Sequence, residues 1–345
     1  MAIEDAFLSF VARVRGEVDA WLAPWLDAKV VHAGERGADV AAVADALRSL
    51  VKRGGKRLRP ALLGAAFEGC GGGSSASVAA AGGALELFQA YLLVHDDWMD
   101  GDDVRRGGPS VPAMLRARMA GDGDAMSVLA GDLASAWANE ALLEGTLPAD
   151  RVLAASRELA RVEQDVIAGQ ALDVRSTART AADVEAVHAL KTASYTTRAP
   201  VVMGARLAGA GDVQAAVLAA YARPLGVAFQ LRDDLLGVFG DARATGKPSG
   251  SDLAAGKRTA VVVEAEKDAS AAAALAGVLG TKGASAQDQA AAVAAMDACG
   301  ARSRVEARIA ELAGEARAAL ERAELTAGGR ALLEGAVVVL TERVA

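Results

Sequence analysis

Residues 88–106 read Phe88-Gln89-Ala90-Tyr91-Leu92-Leu93-Val94-His95-Asp96-Asp97-Trp98-Met99-Asp100-Gly101-Asp102-Asp103-Val104-Arg105-Arg106. The apolar run begins near Ala76 and is interrupted by Glu86 and Gln89 before it meets the aspartates. At helical spacing Asp96 and Asp100 (i, i+4) share one face, with Asp97 about 100° round the axis. Carboxylates massed at a helix C-terminus repel one another and oppose the helix dipole, so a cation is expected beside them. Glu86, Gln89 and the abrupt acidic end favour a buried core helix over a membrane span.

The same pattern extends outward. Of 345 residues, 52% are hydrophobic but only 4% aromatic, and the apolar mass is mostly Ala, Leu and Val. That composition excludes disorder and favours helix over a sandwich or barrel. Glycine-bearing breaks at Arg53-Gly54-Gly55, Gly107-Gly108-Pro109, Gly209 to Asp212 and Gly240 to Gly256 separate helical stretches. The valine runs 261–263 and 337–339 lie in Ala/Glu/Leu-rich contexts and are also expected to be helical. No repeat or long linker divides the chain. The expectation is an all-α fold, one large helical bundle over residues 1–345. A net charge of −7 argues against nucleic-acid binding. Cys70 and Cys299 form no metal or disulfide pattern. The opening Met1-Ala2-Ile3-Glu4-Asp5 does not read as a signal peptide, so a cytoplasmic location without stable membrane insertion is expected.

A second acidic set, Gln230-Leu231-Arg232-Asp233-Asp234, is again embedded in an apolar helix, with Asp241 seven residues beyond Asp234. Gln170 and Asp173 form a third set at i, i+3. Buried carboxylates without partners are costly, so three such sets point to one shared interior site. Hard oxygen donors without a Cys or His pattern favour Mg²⁺. Basic residues punctuate the same regions: Gly54-Gly55-Lys56-Arg57-Leu58-Arg59-Pro60, Arg105-Arg106, Lys191-Thr192, Gly246-Lys247-Pro248 and Gly256-Lys257-Arg258-Thr259. Alternating acidic helices and basic turns suit metal ions holding a polyphosphate. The glycine and lysine spacing of 240–248 does not make a P-loop. Glu185/His188 is the one Glu-x-x-His pair, too few for a di-iron bundle, and His188 reads as a surface or packing residue.

Together these motifs resemble the trans-isoprenyl diphosphate synthases, the polyprenyl synthetase family, from about Arg53 to Thr259. The resemblance implies helices around a deep central cavity, usually in a homodimer. It also implies head-to-tail condensation of isopentenyl diphosphate with an allylic diphosphate. On that likeness Asp96, Asp100, Asp173 and Asp233 would hold three Mg²⁺, supported by Asp97, Asp234 and Asp241. Arg105, Lys191, Lys247 and Lys257 would neutralise the allylic diphosphate, beside Thr192 and Gln230. Gly55, Lys56, Arg59, Gln89 and Arg106 would hold isopentenyl diphosphate. Asp96, Asp97, Asp100, Arg105, Lys191, Asp233 and Lys247 are the expected catalytic set.

Two positions depart from the family pattern. Gly237 stands at the last position of the second DDxxD, and Pro112 stands where many relatives carry His. Product length should depend on bulk upstream of Asp96: Tyr91, Leu92 and Phe88. The aromatic five positions before Asp96, with no insertion in the motif, resembles geranylgeranyl synthases, with a farnesyl synthase as the alternative. On an ideal helical wheel Leu92 and Phe88 lie near the Asp96 face, whereas Tyr91 points away. A class I terpene cyclase and a non-catalytic partner subunit are the remaining alternatives; Lys56, Arg59 and Arg106 suggest a second diphosphate pocket that a cyclase does not need.

Overall fold

Between the glycine breaks the chain folds into helices, in a computed structural model that describes residues 3–175, 178–240, 253, 256–281 and 283–342. The first half comprises α1 (Ile3–Gly34), α2 (Ala38–Lys52), α3 (Leu58–Gly69), α4 (Ala79–Asp100), α5 (Val111–Arg118), α6 (Gly123–Leu143) and α7 (Ala149–Val174). Next comes α8 (Ala181–His188), which runs through a π-helical stretch, Ala189–Arg198, directly into α9 (Ala199–Ala208). After α10 (Asp212–Phe239) follow α11 (Ala260–Ala265), α12 (Ala269–Ala276), α13 (Ala286–Ala298), α14 (Ala301–Glu321) and α15 (Ala327–Thr341). The expected all-α class is therefore observed, with both valine runs inside helices.

Helix α4 is the apolar run that ends in the first aspartates, and most of its side chains from Ala80 to Val94 are buried. It is long and apolar enough to cross a membrane over Ser75–Asp100, but 72% of its most apolar window is covered by the rest of the protein. Gly101, at φ 71°, ends it in the left-handed conformation that glycine adopts without steric cost. A small antiparallel hairpin follows, β1 (Val104–Arg105) with β2 (Gly108–Pro109), where the glycine signal alone predicts only a turn. Arg106 (φ 54°) and Gly107 (φ 71°) both turn left-handed, the geometry of a tight type I′ hairpin.

Two apolar clusters form the interior. The larger is built on α1 to α7, α9 and α15; the smaller gathers α11 to α13 with Val184 of α8 and Ala193, and α10 and α14 contribute to both. The π-helical stretch lies between α7 and α10. A Cβ at Gly169 of α7 would stand 2.3 Å from the Lys191 amide nitrogen, and one at Gly226 of α10 would stand 2.3 Å from Thr197 Oγ1. Glycine at both places lets the three segments touch along their backbones. Thr197 Oγ1 donates to the Ala193 and Ala222 carbonyls at 2.9 and 2.7 Å, tying the stretch to α10. Lys191 and Thr192, read from sequence among the basic turns, thus lie inside a continuous helix. The stretch holds no glycine or proline that would break it.

Candidate functional site

The first acidic motif splits by helix face. Asp97 is fully buried and accepts from both Arg105 Nε (2.7 Å) and Arg105 Nη2, while Arg105 Nη2 also reaches Asp102 at 3.2 Å. Asp97 therefore anchors the hairpin to α4 instead of facing the cavity. Burial pushes the Asp97 carboxyl above the usual range, against the opposing pull of Arg105. Asp96 and Asp100 stay accessible. Asp96 accepts from Gln170 Nε2 at 3.2 Å and from Lys191 Nζ at 3.4 Å. Lys191 also donates to Asp173 Oδ2 at 2.5 Å. Desolvation alone would depress the Lys191 ammonium, but the Asp96 and Asp173 charges outweigh it and raise its pKa. At Asp100 desolvation and the Asp96 charge push the carboxyl up, opposed by Lys191 and Lys257.

Asp96, Gln170 and Lys191 stand at the rim of a cavity of about 520 Å³ between α4, α7 and the π-helical stretch. One turn behind the rim the wall is apolar, with Leu92, Val166, Ile167, Tyr91 and Tyr195, and Thr192 is also in the lining. Tyr91 lines this cavity, contrary to the helical-wheel expectation. The wall spans more of α4 than one stripe, and the Tyr91 ring packs edge-on to His95 at 5.1 Å. Burial pushes the Tyr91 hydroxyl up to about 12. Phe88 is fully buried behind, its ring 5.6 Å from Tyr91 and 6.4 Å from Tyr195.

The second acidic motif lies on α10, across the π-helical stretch. Asp234 is buried, accepts from Gln230 Nε2 at 3.0 Å and faces His188 Nε2 at 3.4 Å. His188, three residues before Lys191, is thus the packing residue of the two readings its sequence context allowed, not the surface one. It links α8 to the second motif. Asp233 is half-buried beside Asp234. The π-helical stretch with its Lys191 stands between the two acidic helices. Lys257 is exposed and electrostatically coupled to Asp100. Lys247 and Asp241 lie outside the described residues.

The basic residues near α3 form a second group. Arg106 Nη2 donates to Gln89 Oε1 at 3.2 Å, and the backbone of Gly55 passes so close that a Cβ there would lie 3.5 Å from the same nitrogen. Arg59 Nη2 donates to Thr196 Oγ1 at 2.8 Å, its guanidinium lying 4.4 Å from the centre of the Tyr195 ring. Lys56 is exposed on the intervening loop. Burial depresses the Arg106 guanidinium, with Arg57, Arg59 and Arg53 adding repulsion and Glu86 opposing. Crowded cations of this kind suit a polyanion. Tyr195 and Thr196 were missed from sequence, although Tyr195 lies one turn from Lys191 on the same helix.

Among the described residues no three His, Cys, Asp or Glu side chains converge on a point where they alone could hold a metal. The donors nonetheless suit Mg²⁺, which takes one or two carboxylates and completes its shell with water and phosphate oxygens. Asp96 and Asp100 are accessible hard-oxygen donors whose mutual repulsion is only partly offset by lysine.

Several solved and curated proteins are similar. A geranylgeranyl pyrophosphate synthase from Corynebacterium glutamicum, complexed with isoprenyl diphosphate and magnesium, superposes with a TM-score of 0.87 at 34% identity over 100% of both chains. The (2E,6E)-farnesyl diphosphate synthase of Mycobacterium tuberculosis is 41% identical over 209 residues, covering 59% of this chain; the chain spans only 55% of that relative's length. A geranylgeranyl diphosphate synthase of Methanosarcina mazei is 38% identical over 222 residues, 64% of this chain and 66% of that one. The polyprenyl synthetase family model matches residues 40–296, most of the chain, and the chain belongs to that family.

Proposed function

We propose that this chain is a Mg²⁺-dependent short-chain trans-prenyltransferase. It joins isopentenyl diphosphate to an allylic diphosphate (dimethylallyl, geranyl or farnesyl) and releases inorganic diphosphate. The observation that carries this reading is the pairing of two polar groups: Asp96, Gln170 and Lys191 at the rim of the apolar cavity, with Asp173 bonded to Lys191, and Lys56, Arg59 and Arg106 with Gln89 beside α3, joined to the cavity wall where Arg59 stacks on Tyr195. Asp96, Asp100, Asp173 and Asp233 would hold the metal, as three ions in this reading. When bound, the metal supplies positive charge to the diphosphate leaving group.

The chain's own residues do the rest. Lys191 and Arg105, with Lys257 and Lys247, neutralise the allylic diphosphate as its C–O bond breaks, and Thr192 and Gln230 orient it. Asp97 and Asp234 are buried and hold Arg105 and the His188 end of α8, so their role is support. Leu92, Val166, Ile167 and Tyr91 exclude water from the allylic cation. Gly55, Lys56, Arg59, Gln89 and Arg106 place isopentenyl diphosphate so that its double bond attacks that cation. The proton lost afterwards goes to the departing diphosphate, and no side-chain nucleophile is needed. Tyr91 in the cavity wall supports geranylgeranyl diphosphate as product. The name of the M. tuberculosis relative favours the second reading, a farnesyl product. A homodimer belongs to the proposal, supported by exposed Leu129 and Leu143 on α6 and Leu153 on α7.

The purified chain, incubated with Mg²⁺, isopentenyl diphosphate and each allylic primer, should yield an elongated diphosphate on chromatography. No elongated product defeats the proposal, and a cyclised hydrocarbon would replace it with a cyclase.

A further inference from the structure

Among the described residues Arg57 and Arg106 are the non-glycine positions with left-handed backbone, at φ 51° and 54°. A side chain rarely adopts that conformation unless its surroundings enforce it, and such strain gathers at functional sites. Both arginines belong to the group of basic residues beside α3, and both are fastened to the same turn of α4. Arg106 donates to Gln89. Arg57, whose side chain is 2% exposed, donates from Nη1 to Glu86, whose side chain is also 2% exposed. The rest of the Arg57 guanidinium is equally committed: Nε donates to Asp19 Oδ1 at 2.9 Å, and Nη2 to the Val51 carbonyl at 3.1 Å. One buried group thus ties α1, the C-terminal turn of α2 and α4 to the loop that carries Gly55 and Lys56 and opens α3 with Arg59. It is too deep to touch a ligand.

We propose that Arg57, clamped by Glu86, is the positioning residue of the isopentenyl diphosphate pocket. It holds the 54–57 loop in its strained form so that Lys56 and Arg59 meet the diphosphate together. The inference rests on the prenyltransferase reading given above. It also makes α4 the common ruler of the two pockets. Glu86 and Gln89 fix one, Asp96 and Asp100 the other, and the seven residues from Gln89 to Asp96 set them about 10 Å apart along the axis.

The test compares wild type with Arg57→Lys, which keeps the charge but loses the fork, and with Glu86→Gln, which keeps the shape but loses the charge. Isopentenyl diphosphate binding by calorimetry and separate KM values for the two substrates are the readouts. Arg57→Lys should weaken isopentenyl diphosphate binding and raise its KM at least about 10-fold, with the allylic KM and kcat within about 3-fold. Glu86→Gln should shift the same quantity by less. Equal changes in both KM values, or unchanged isopentenyl diphosphate binding, would overturn the assignment. So would loss of the folded state in both variants, which would make the pair a requirement of folding alone. If wild type binds isopentenyl diphosphate but forms no product, the prenyltransferase reading fails while the binding comparison still decides the role of Arg57. If wild type does not bind it, both fall.

Discussion

Replacing Gly169 by alanine puts a methyl group where α7 and the π-helical stretch touch. The new Cβ would lie 2.3 Å from the Lys191 nitrogen, 2.7 Å from its Cα and 2.9 Å from the Leu190 carbonyl carbon. These are backbone atoms and cannot swing aside, so reaching ordinary contact at 3.4 Å requires the helices to part by about 1.1 Å. Overpacking of this kind costs about 1–3 kcal/mol, and the better helix propensity of alanine returns about 1 kcal/mol. The folded state therefore loses roughly 1 kcal/mol, a fall in Tm of at most about 2–4 °C in a chain this long. The site suffers more. The same displacement would open the Lys191–Asp173 contact from 2.5 Å to beyond hydrogen-bonding reach, and misplacement by about 1 Å can cost on the order of 100-fold in rate. Calorimetry beside a diphosphate-release assay should show kcat/KM down about 10- to 100-fold with a small loss of Tm. Gly314→Ala is the control: it lies exposed inside α14 with nothing within 4 Å of the new methyl. It should stabilise by about 0.4–1 kcal/mol and leave turnover alone. A Gly169→Ala chain with wild-type turnover would refute the close-packing argument.

Other changes give separate checks. Asp100→Asn should remove at least about 99% of activity while raising the stability of the metal-free chain by less than about 1 kcal/mol, since Asp100 is exposed and solvent screens its repulsion. Because the folded-state pKa of Asp100 is raised from 3.8, that gain should be absent below about pH 3.8 and open as pH rises towards the folded value; melting curves from pH 3.5 to 7 would contradict this if the gain were largest at the acid end. Tyr91→Ala, supplied with isopentenyl and farnesyl diphosphates, should lengthen the products, and an unchanged chromatogram counts against Tyr91 as the floor. Removing Mg²⁺ with a chelator should abolish turnover yet shift Tm by less than about 1 °C when no diphosphate is present, because the carboxylates form no metal cage by themselves; a large shift would reveal a resident structural ion.

The acidic helices were legible in the sequence because paired aspartates inside apolar helices break the rule that buried carboxylates need partners. The structure brings Asp96, Gln170, Asp173 and Lys191 together as that rule requires. What sequence spacing could not supply was the facing of each side chain in three dimensions. Asp97 differs from Asp96 by one residue, yet it turns into the core and holds Arg105. His188 could be read only as a surface or packing residue because its partner, Asp234, comes from a helix more than forty residues away. The family likeness places Tyr91 at the cavity while an ideal wheel turns it away, because the wheel assumes a narrow lining stripe, whereas α7 and the π-helical stretch leave a broad one. The hairpin went unread because Arg106, unlike glycine, carries no signal for left-handed backbone.

The widened turn at Ala189–Arg198 has a consequence for sequence change. A helix held at π pitch over ten residues carries a phase step, and everything downstream is set by it. Deleting any one residue there would let the coil relax to ordinary pitch and swing α9 by about 100°, turning Gly204 away from the Leu63 carbonyl, against which a Cβ would stand at 2.2 Å. This segment should therefore tolerate exchanges of side chain far better than any change in its length.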